Sequence, residues 1–199
     1  NGCYLKDDAI YYYEEKIIDL KDILLRGVHN YENIMAAIMA VKEYGVSTSA
    51  IQKVLTTFNG VEHRLEFVCE KEGRKFYNDT EATNTKCTQI ALSAFEEPVI
   101  LFLGGYERGQ NFYDLKDYVG HVKAIIAIGQ CRERVQEFGE AMHIPTYVYE
   151  FLKDGFEKAY ELSEVGDIIL LSPASASWDQ YKECEIRGAE FKKYARGEK

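Results

Sequence analysis

The sequence predicts an α/β fold: a mainly parallel sheet with helices on both faces, led by a β-hairpin and preceded by a smaller helical and β segment. Three observations carry this. From residue 85 onward, short apolar runs alternate with segments of helical spacing. Val99-Ile100-Leu101-Phe102-Leu103 and Ile168-Ile169-Leu170-Leu171 are apolar without a break, the pattern of strands buried on both faces. The turn dipeptide Asn59-Gly60 separates this half from a first stretch with a different period, so a domain boundary falls there, with 1–59 and 60–199 on either side.

The elements follow in order. Residues 3–6 and the tyrosine-rich run 9–13 flank Asp7-Asp8 and read as a hairpin. Residues 17–25 are short and apolar, and Arg26-Gly27 ends them. Ile34, Ala37, Ile38 and Val41 place a helix over 30–44, with Asn30 as its cap and Gly45 as its stop. A second helix spans 47–58, capped by Ser47 or Thr48. Residues 65–69 and 75–78 flank Glu70-Lys71-Glu72-Gly73, a hairpin with a glycine turn. Helices are then expected over 85–95, 114–118, 132–142, 155–163 and 182–196. Strands are expected over 99–103, 124–128, 146–149 and 167–171.

Composition limits the function. A chain of 199 residues holds one domain or two small ones. With 46% hydrophobic and 29% charged residues it is not a disordered chain. A net charge of −9 argues against a nucleic-acid surface, which needs clustered Lys and Arg. No apolar run approaches the ~20 residues of a membrane span. Five scattered cysteines without a C-x-x-C point to a reducing compartment, and four histidines without an i, i+4 pair argue against a metal centre. The opening Asn1-Gly2-Cys3-Tyr4, with no initiating methionine, reads as the interior of a longer chain.

Ligands of a parallel sheet bind beyond the carboxyl ends of its strands. That rule selects the loops after Asn78, Leu103, Ile128 and Leu171. Gly104-Gly105-Tyr106-Glu107-Arg108-Gly109 has glycines that let backbone approach an anion, and Arg108 offers a planar fork for a carboxylate or phosphate. It is equally a tight strand-to-helix turn, and no G-x-G-x-x-G or Walker sequence is present. In Asp79-Thr80-Glu81-Ala82-Thr83-Asn84, Asp79 suits ligand hydroxyls, while Thr83 and Asn84 either donate to an anion or cap the next helix. Ser172 to Asp179 carries small hydroxylated residues and the single tryptophan, Trp178, which is either a core residue or part of a polar site. Asn30 and Asn33 share a helix face and together suit a base edge. Arg64 is either an exposed strand residue or a phosphate ligand at a domain junction.

Five ordered segments, "HNYEN", "VEHRLEFV", "FYNDTEATN", "LFLGGYERG" and "LLSPASASWDQY…E.RG..F", resemble the Mur ligase family, in its D-glutamate-adding branch, over nearly the whole chain. The resemblance implies that residues 1–59 are the tail of a P-loop ATPase domain and 60–199 a Rossmann-like, amino-acid-binding C-terminal domain. It implies a cytoplasmic, monomeric ligase using ATP and Mg2+ to join D-glutamate to UDP-N-acetylmuramoyl-L-alanine through an acyl phosphate. The P-loop and the magnesium ligands would lie upstream, leaving this piece inactive alone. By motif, Asn30, Asn33, Arg64 and Asp79 would contact ATP; Thr83, Arg108, Ser177 and Trp178 would surround D-glutamate. None would be a nucleophile. Three positions depart from the family pattern: Glu81 replaces a lysine, Cys184 a phenylalanine, and Tyr106-Glu107 a leucine-aspartate pair. These leave room for two alternatives, a paralogous ligase for another acidic amino acid and a non-catalytic nucleotide-binding or interaction module.

Overall fold

The computed structural model describes residues 2–25 and 27–198, so Arg26 of the expected break lies outside them. The chain divides into two compact units, Asn1–Gly60 and Val61–Lys199.

The first unit is an antiparallel meander with two helices. Strands β1 (Cys3–Lys6) and β2 (Ala9–Tyr12) join through Asp7-Asp8, both in the left-handed region at φ 49° and 55°, as a two-residue hairpin turn requires. Tyr13 also turns left-handed, at φ 52°, so β2 stops one residue short of the expected 9–13. A third strand, β3 (Glu15–Asp19), pairs with β2. Charge at both of its ends leaves only Ile17 and Ile18 as an apolar signal, and it was not expected. Helix α1 (Val28–Glu43) starts two residues before the expected 30, with Gly27 at its cap position; Asn30 is a helical residue and not the cap. Ser47 does cap α2 (Thr48–Leu55), accepting from the Ala50 amide at 3.3 Å. Ile10, Ile17, Ile34, Ile38 and Ile51 form this unit's core.

The second unit is the mainly parallel sheet that the sequence predicts. Strands β4 (Glu66–Lys71) and β5 (Arg74–Asn78) form the leading hairpin, turning at Glu72 and Gly73, φ 50° and 74°. Then come α3 (Thr85–Leu92), β6 (Val99–Gly104), a 3-10 turn (Phe112–Leu115), β7 (Val122–Ile128), α4 (Arg132–Ala141), β8 (Thr146–Val148), α5 (Leu152–Leu162), β9 (Ile168–Leu171) and α6 (Cys184–Arg196). The helix expected over 114–118 is this 3-10 turn, shifted toward Asn111, whose side chain accepts from the Tyr113 amide. Helix α5 begins three residues before the expected 155; Phe151 at its cap position makes no side-chain bond and so leaves no cap signature.

Sheet order is β4-β5-β9-β6-β7-β8, and only β4 is antiparallel. Side chains alternate between two cores, as a pleated strand demands. Leu101, Leu103, Ile125, Leu170 and Tyr77 pack with α3 and α4. Ile100, Phe102, Ile126, Ile169 and Phe76 pack with α5 and α6. From β6 the chain steps outward through β7 and β8, then returns to the other side of β6 as β9. That reversal opens a crevice at the carboxyl ends of β6 and β9, where such sheets bind ligands.

Helix α5 lies close to the sheet because Gly155 has no side chain. A Cβ there would sit 2.5 Å from Ile126 Cγ2 and 3.4 Å from Phe102. Gly155→Ala gains about 1 kcal/mol of helix propensity, but overpacking against the buried Ile126 costs more, about 1–3 kcal/mol. The substitution is therefore expected to lower the urea midpoint of the second unit, and a raised midpoint would contradict this packing.

Candidate functional site

Four loops meet at the crevice: those after β5, β6, β7 and β9. They are tied to one another by backbone. The Gly104 amide donates to the Pro173 carbonyl at 2.9 Å, the Tyr106 amide to Ala176 at 2.8 Å, and the Asp79 amide to Leu171 at 2.7 Å. Cβ atoms at Gly104 and Gly105 would overlap the carbonyl oxygens of Ile128 and Ala176. These glycines therefore serve close backbone packing. The anion-cradle reading is corrected, because each amide from Gly104 to Gly109 donates to an acceptor within the protein.

What this loop does offer is Arg108. Its side chain is exposed, and its guanidinium carbon lies 5.3 Å from the centre of the Trp178 ring. Trp178 is 61% exposed, so it is no core residue. Tyr106 leans on it, ring centres 5.9 Å apart. The neighbouring Ser177 is only 1% exposed, and its hydroxyl has no protein partner. A buried hydroxyl left unpaired costs about 1–3 kcal/mol, so a polar ligand is its natural complement. Arg108 and Trp178 thus meet across the β6 and β9 loops, and the buried Ser177 directly precedes Trp178 in the chain.

The loop after β5 is more structural than the sequence implied. Both oxygens of Asp79 are engaged, one by the Leu65 amide at 3.0 Å and the other by the Ser172 hydroxyl at 2.7 Å. Burial pushes its carboxyl up to about 6, against the pull of those two donors. Asn84 caps α3, its side chain accepting from the Cys87 amide at 3.0 Å, so the capping reading holds there. Thr83, half-buried, precedes that cap.

Arg64 is 71% exposed, with Nη2 3.9 Å from the Glu81 carboxylate. The other Glu81 oxygen accepts from the Cys184 thiol at 3.4 Å. Two departures from the family pattern are therefore in contact. Burial first, and then the carboxylates of Glu185 and Glu81, push that thiol up to about 11, which keeps it protonated. Asn30 and Asn33 lie on α1 in the first unit, three positions apart, half-buried and exposed respectively.

Sequence reasoning gave no role to the residue that joins the loops, although the segment E.RG..F contains it. Arg187, on α6, is 1% exposed. Its Nε donates to the Thr80 hydroxyl and its Nη2 to the carbonyls of Thr80 and Ser175, each at 3.0 Å; its Nη1 donates to Ala176 at 3.3 Å. Burial pulls it down to about 10, so it stays charged at neutral pH. The only available signal was the pair Arg187-Gly188: a Cβ at Gly188 would collide with the His63 ring. A cleft of about 700 Å³ opens beside Gln130, Glu150, Phe151 and Asp179 and shares Tyr106 with the β6 loop; none of the predicted site residues lines it.

Residues 63–175 match the family model described as the Mur ligase, glutamate ligase domain. The chain is 48% identical over 191 residues to the UDP-N-acetylmuramoylalanine–D-glutamate ligase of Bacillus subtilis, covering 96% of this chain and 42% of that protein. It is 51% identical over 195 residues to the enzyme of the same name from Geobacillus kaustophilus, covering 96% and 43%. Among solved structures, UDP-N-acetylmuramate-alanine ligase from Thermotoga maritima superposes with a TM-score of 0.62 at 15% identity, over 87% of this chain and 39% of that one. MurF from Acinetobacter baumannii gives 0.61 at 19%, over 84% and 38%.

The buried Asp79 makes a pH prediction. The fold keeps its proton up to about 6, whereas an ordinary aspartate releases it at 3.8. The stability this contributes is full below the unfolded value and is lost as pH rises through about 6, a change of about 3 kcal/mol. Asp79→Asn retains an acceptor for Leu65 and a donor for Ser172 but does not titrate. Denaturant unfolding should show the variant gaining on the parent chain between about pH 4 and pH 7. Parallel profiles for the two would refute the buried-carboxylate reading.

Proposed function

This chain belongs to the Mur ligase family, and on that premise we propose that it is the C-terminal part of an ATP-dependent ligase joining D-glutamate to UDP-N-acetylmuramoyl-L-alanine. It spans less than half the length of the curated relatives it matches. The P-loop and magnesium ligands are accordingly assigned to the remainder of the protein, and residues 1–59 to the end of its ATPase domain. Relatives at 48% and 51% identity share that printed activity, and they do not favour a non-catalytic module.

The observation that carries the reading is the placement of Arg108, Trp178 and Ser177 on two loops of one crevice. D-glutamate has two carboxylates, and this constellation supplies a fork for one and a hydroxyl for the other. Arg108 takes the first, with Trp178 holding the guanidinium over its ring face until the ligand arrives. Ser177 takes the second, and Thr83 closes the same site. In this reaction the UDP-muramoyl-alanine carboxylate attacks the γ-phosphate of ATP, ADP leaves and an acyl phosphate forms. The D-glutamate amine then attacks it and phosphate leaves. The residues here orient the amine and balance charge, and none of them attacks.

On the nucleotide side, Arg64 is the group best suited to a phosphate, since it is exposed, with the Glu81 carboxylate at 3.9 Å and Asp79 within reach of its charge. Asp79 fits less well as a direct ligand, because both of its oxygens are already engaged. We assign it to shaping the loop. Asn30 and Asn33 are the proposed adenine contacts. The whole enzyme is proposed to be cytoplasmic and monomeric. Among the described residues no helix is long and apolar enough to cross a membrane.

Calorimetric titration of D-glutamate into the full-length enzyme, with the UDP-sugar substrate and a non-hydrolysable ATP analogue present, tests the assignment. Losing a charge-assisted bond costs about 1.5–3 kcal/mol, so Arg108→Ala should weaken D-glutamate binding about 10- to 100-fold. Unchanged affinity would remove Arg108 from the site.

A further inference from the structure

The two loops proposed to hold the two carboxylates are bridged by a side chain that no motif marks. Gln110 lies half-buried between them. Its amide nitrogen donates to the Ser175 hydroxyl at 2.6 Å and to the Tyr106 carbonyl at 3.2 Å, and its oxygen accepts from the Arg108 amide at 2.9 Å. One planar amide thus grips the backbone that carries Arg108 and the residue two before Ser177. Up to Tyr106 the loops are already paired by backbone, through Gly104 to Pro173 and Tyr106 to Ala176. Beyond Tyr106 the tip depends on side chains. Glu107 accepts from the Gly109 amide and from Arg134, each at 2.6 Å, and Arg134 reaches back to the Gln110 carbonyl at 2.7 Å. The pair therefore stiffens the tip, and Gln110 sets where the stiffened tip stands relative to the Ser175–Trp178 segment.

We propose that Gln110 is a positioning residue that fixes the span between Arg108 and Ser177, and through that span selects a five-carbon over a four-carbon dicarboxylic amino acid. The inference rests on the proposed D-glutamate reading of the site. The physical reason is that a dicarboxylate bound at both ends measures the distance between its two holders. A holder free to move accepts either length and binds both less well. Gln110 touches neither carboxylate in this scheme, so its loss weakens acceptor binding and leaves the chemical step intact.

The test uses the full-length enzyme in steady-state kinetics, with D-glutamate as acceptor and D-aspartate as competitor. Gln110→Ala should raise the D-glutamate KM about tenfold, leaving kcat and the ATP KM within about twofold. The preference for D-glutamate over D-aspartate, read as the inhibition constant of one against the KM of the other, should fall by a similar factor. Ser175→Ala cuts the strut between the two loops, so the double variant should be no worse than Gln110→Ala alone. Gln110→Met, which keeps the volume and lacks the bonds, should behave as Gln110→Ala if the loop stays folded. A parental KM and preference in the alanine variant would overturn the proposal. So would a loss confined to kcat, or additive effects in the double variant. A parent enzyme that releases no phosphate on addition of D-glutamate would overturn the functional reading itself, and this inference with it.

Discussion

The crevice depends on a buried cation that has no carboxylate among the bonds it makes. Arg187 sits inside the domain and directs its guanidinium at one hydroxyl and three backbone carbonyls from the loops after β5 and β9. Burying a charge is costly unless dipoles replace water around it. Here the dipoles belong to the segments that must be held. The arginine cannot relax without exposing Thr80, Ser175 and Ala176, and those segments cannot drift without stranding the arginine. An acid in place of the carbonyls would pair the charge more strongly, but it would not join two stretches of main chain. A fixed frame for the site follows from this choice of partners.

The same economy appears in the site's charges. The chain is acidic overall, at −9, yet the ligands proposed for it are anions. The cationic groups at the crevice are few, and their surroundings restrict them. Arg108 lies against an aromatic face, and Arg64 lies near Glu81. Arg134 is consumed by Glu107 and serves the loop. Asp79 keeps its negative charge out of the way by burial and by hydrogen bonds from Leu65 and Ser172. Glu81, a surprising acid at this position for the family pattern, has the Cys184 thiol and Arg64 as neighbours.

Strands buried on both faces were legible because they leave unbroken apolar runs. The hairpin turn at Gly73 and the cap at Ser47 were legible because particular residues are needed there. β3 was not, since charge at its ends masks a strand with two buried isoleucines. The start of α5 was not, since Phe151 makes no capping bond. At the site, the loops and the exposed Arg108 and Trp178 could be anticipated from strand ends. The roles of Gly104 and Gly105 could not, because what they approach is Ile128 and Ala176, distant in sequence. Arg187 was hidden for the same reason. A buried arginine satisfied by carbonyls needs no partner of opposite charge, and sequence patterns register charges in pairs. Gln110 was hidden because its partners belong to two loops, and Ser175 lies 65 residues away in sequence.

The only tryptophan of this chain stands at the crevice, largely open to solvent, with a guanidinium on one ring and a tyrosine nearby. The chain therefore carries its own optical reporter. Fifteen tyrosines contribute at shorter wavelengths, but red-edge excitation singles out one indole. Its emission colour and quenching report the position of Arg108 without any attached dye. Loop movement at the crevice can then be followed in this chain in real time by light.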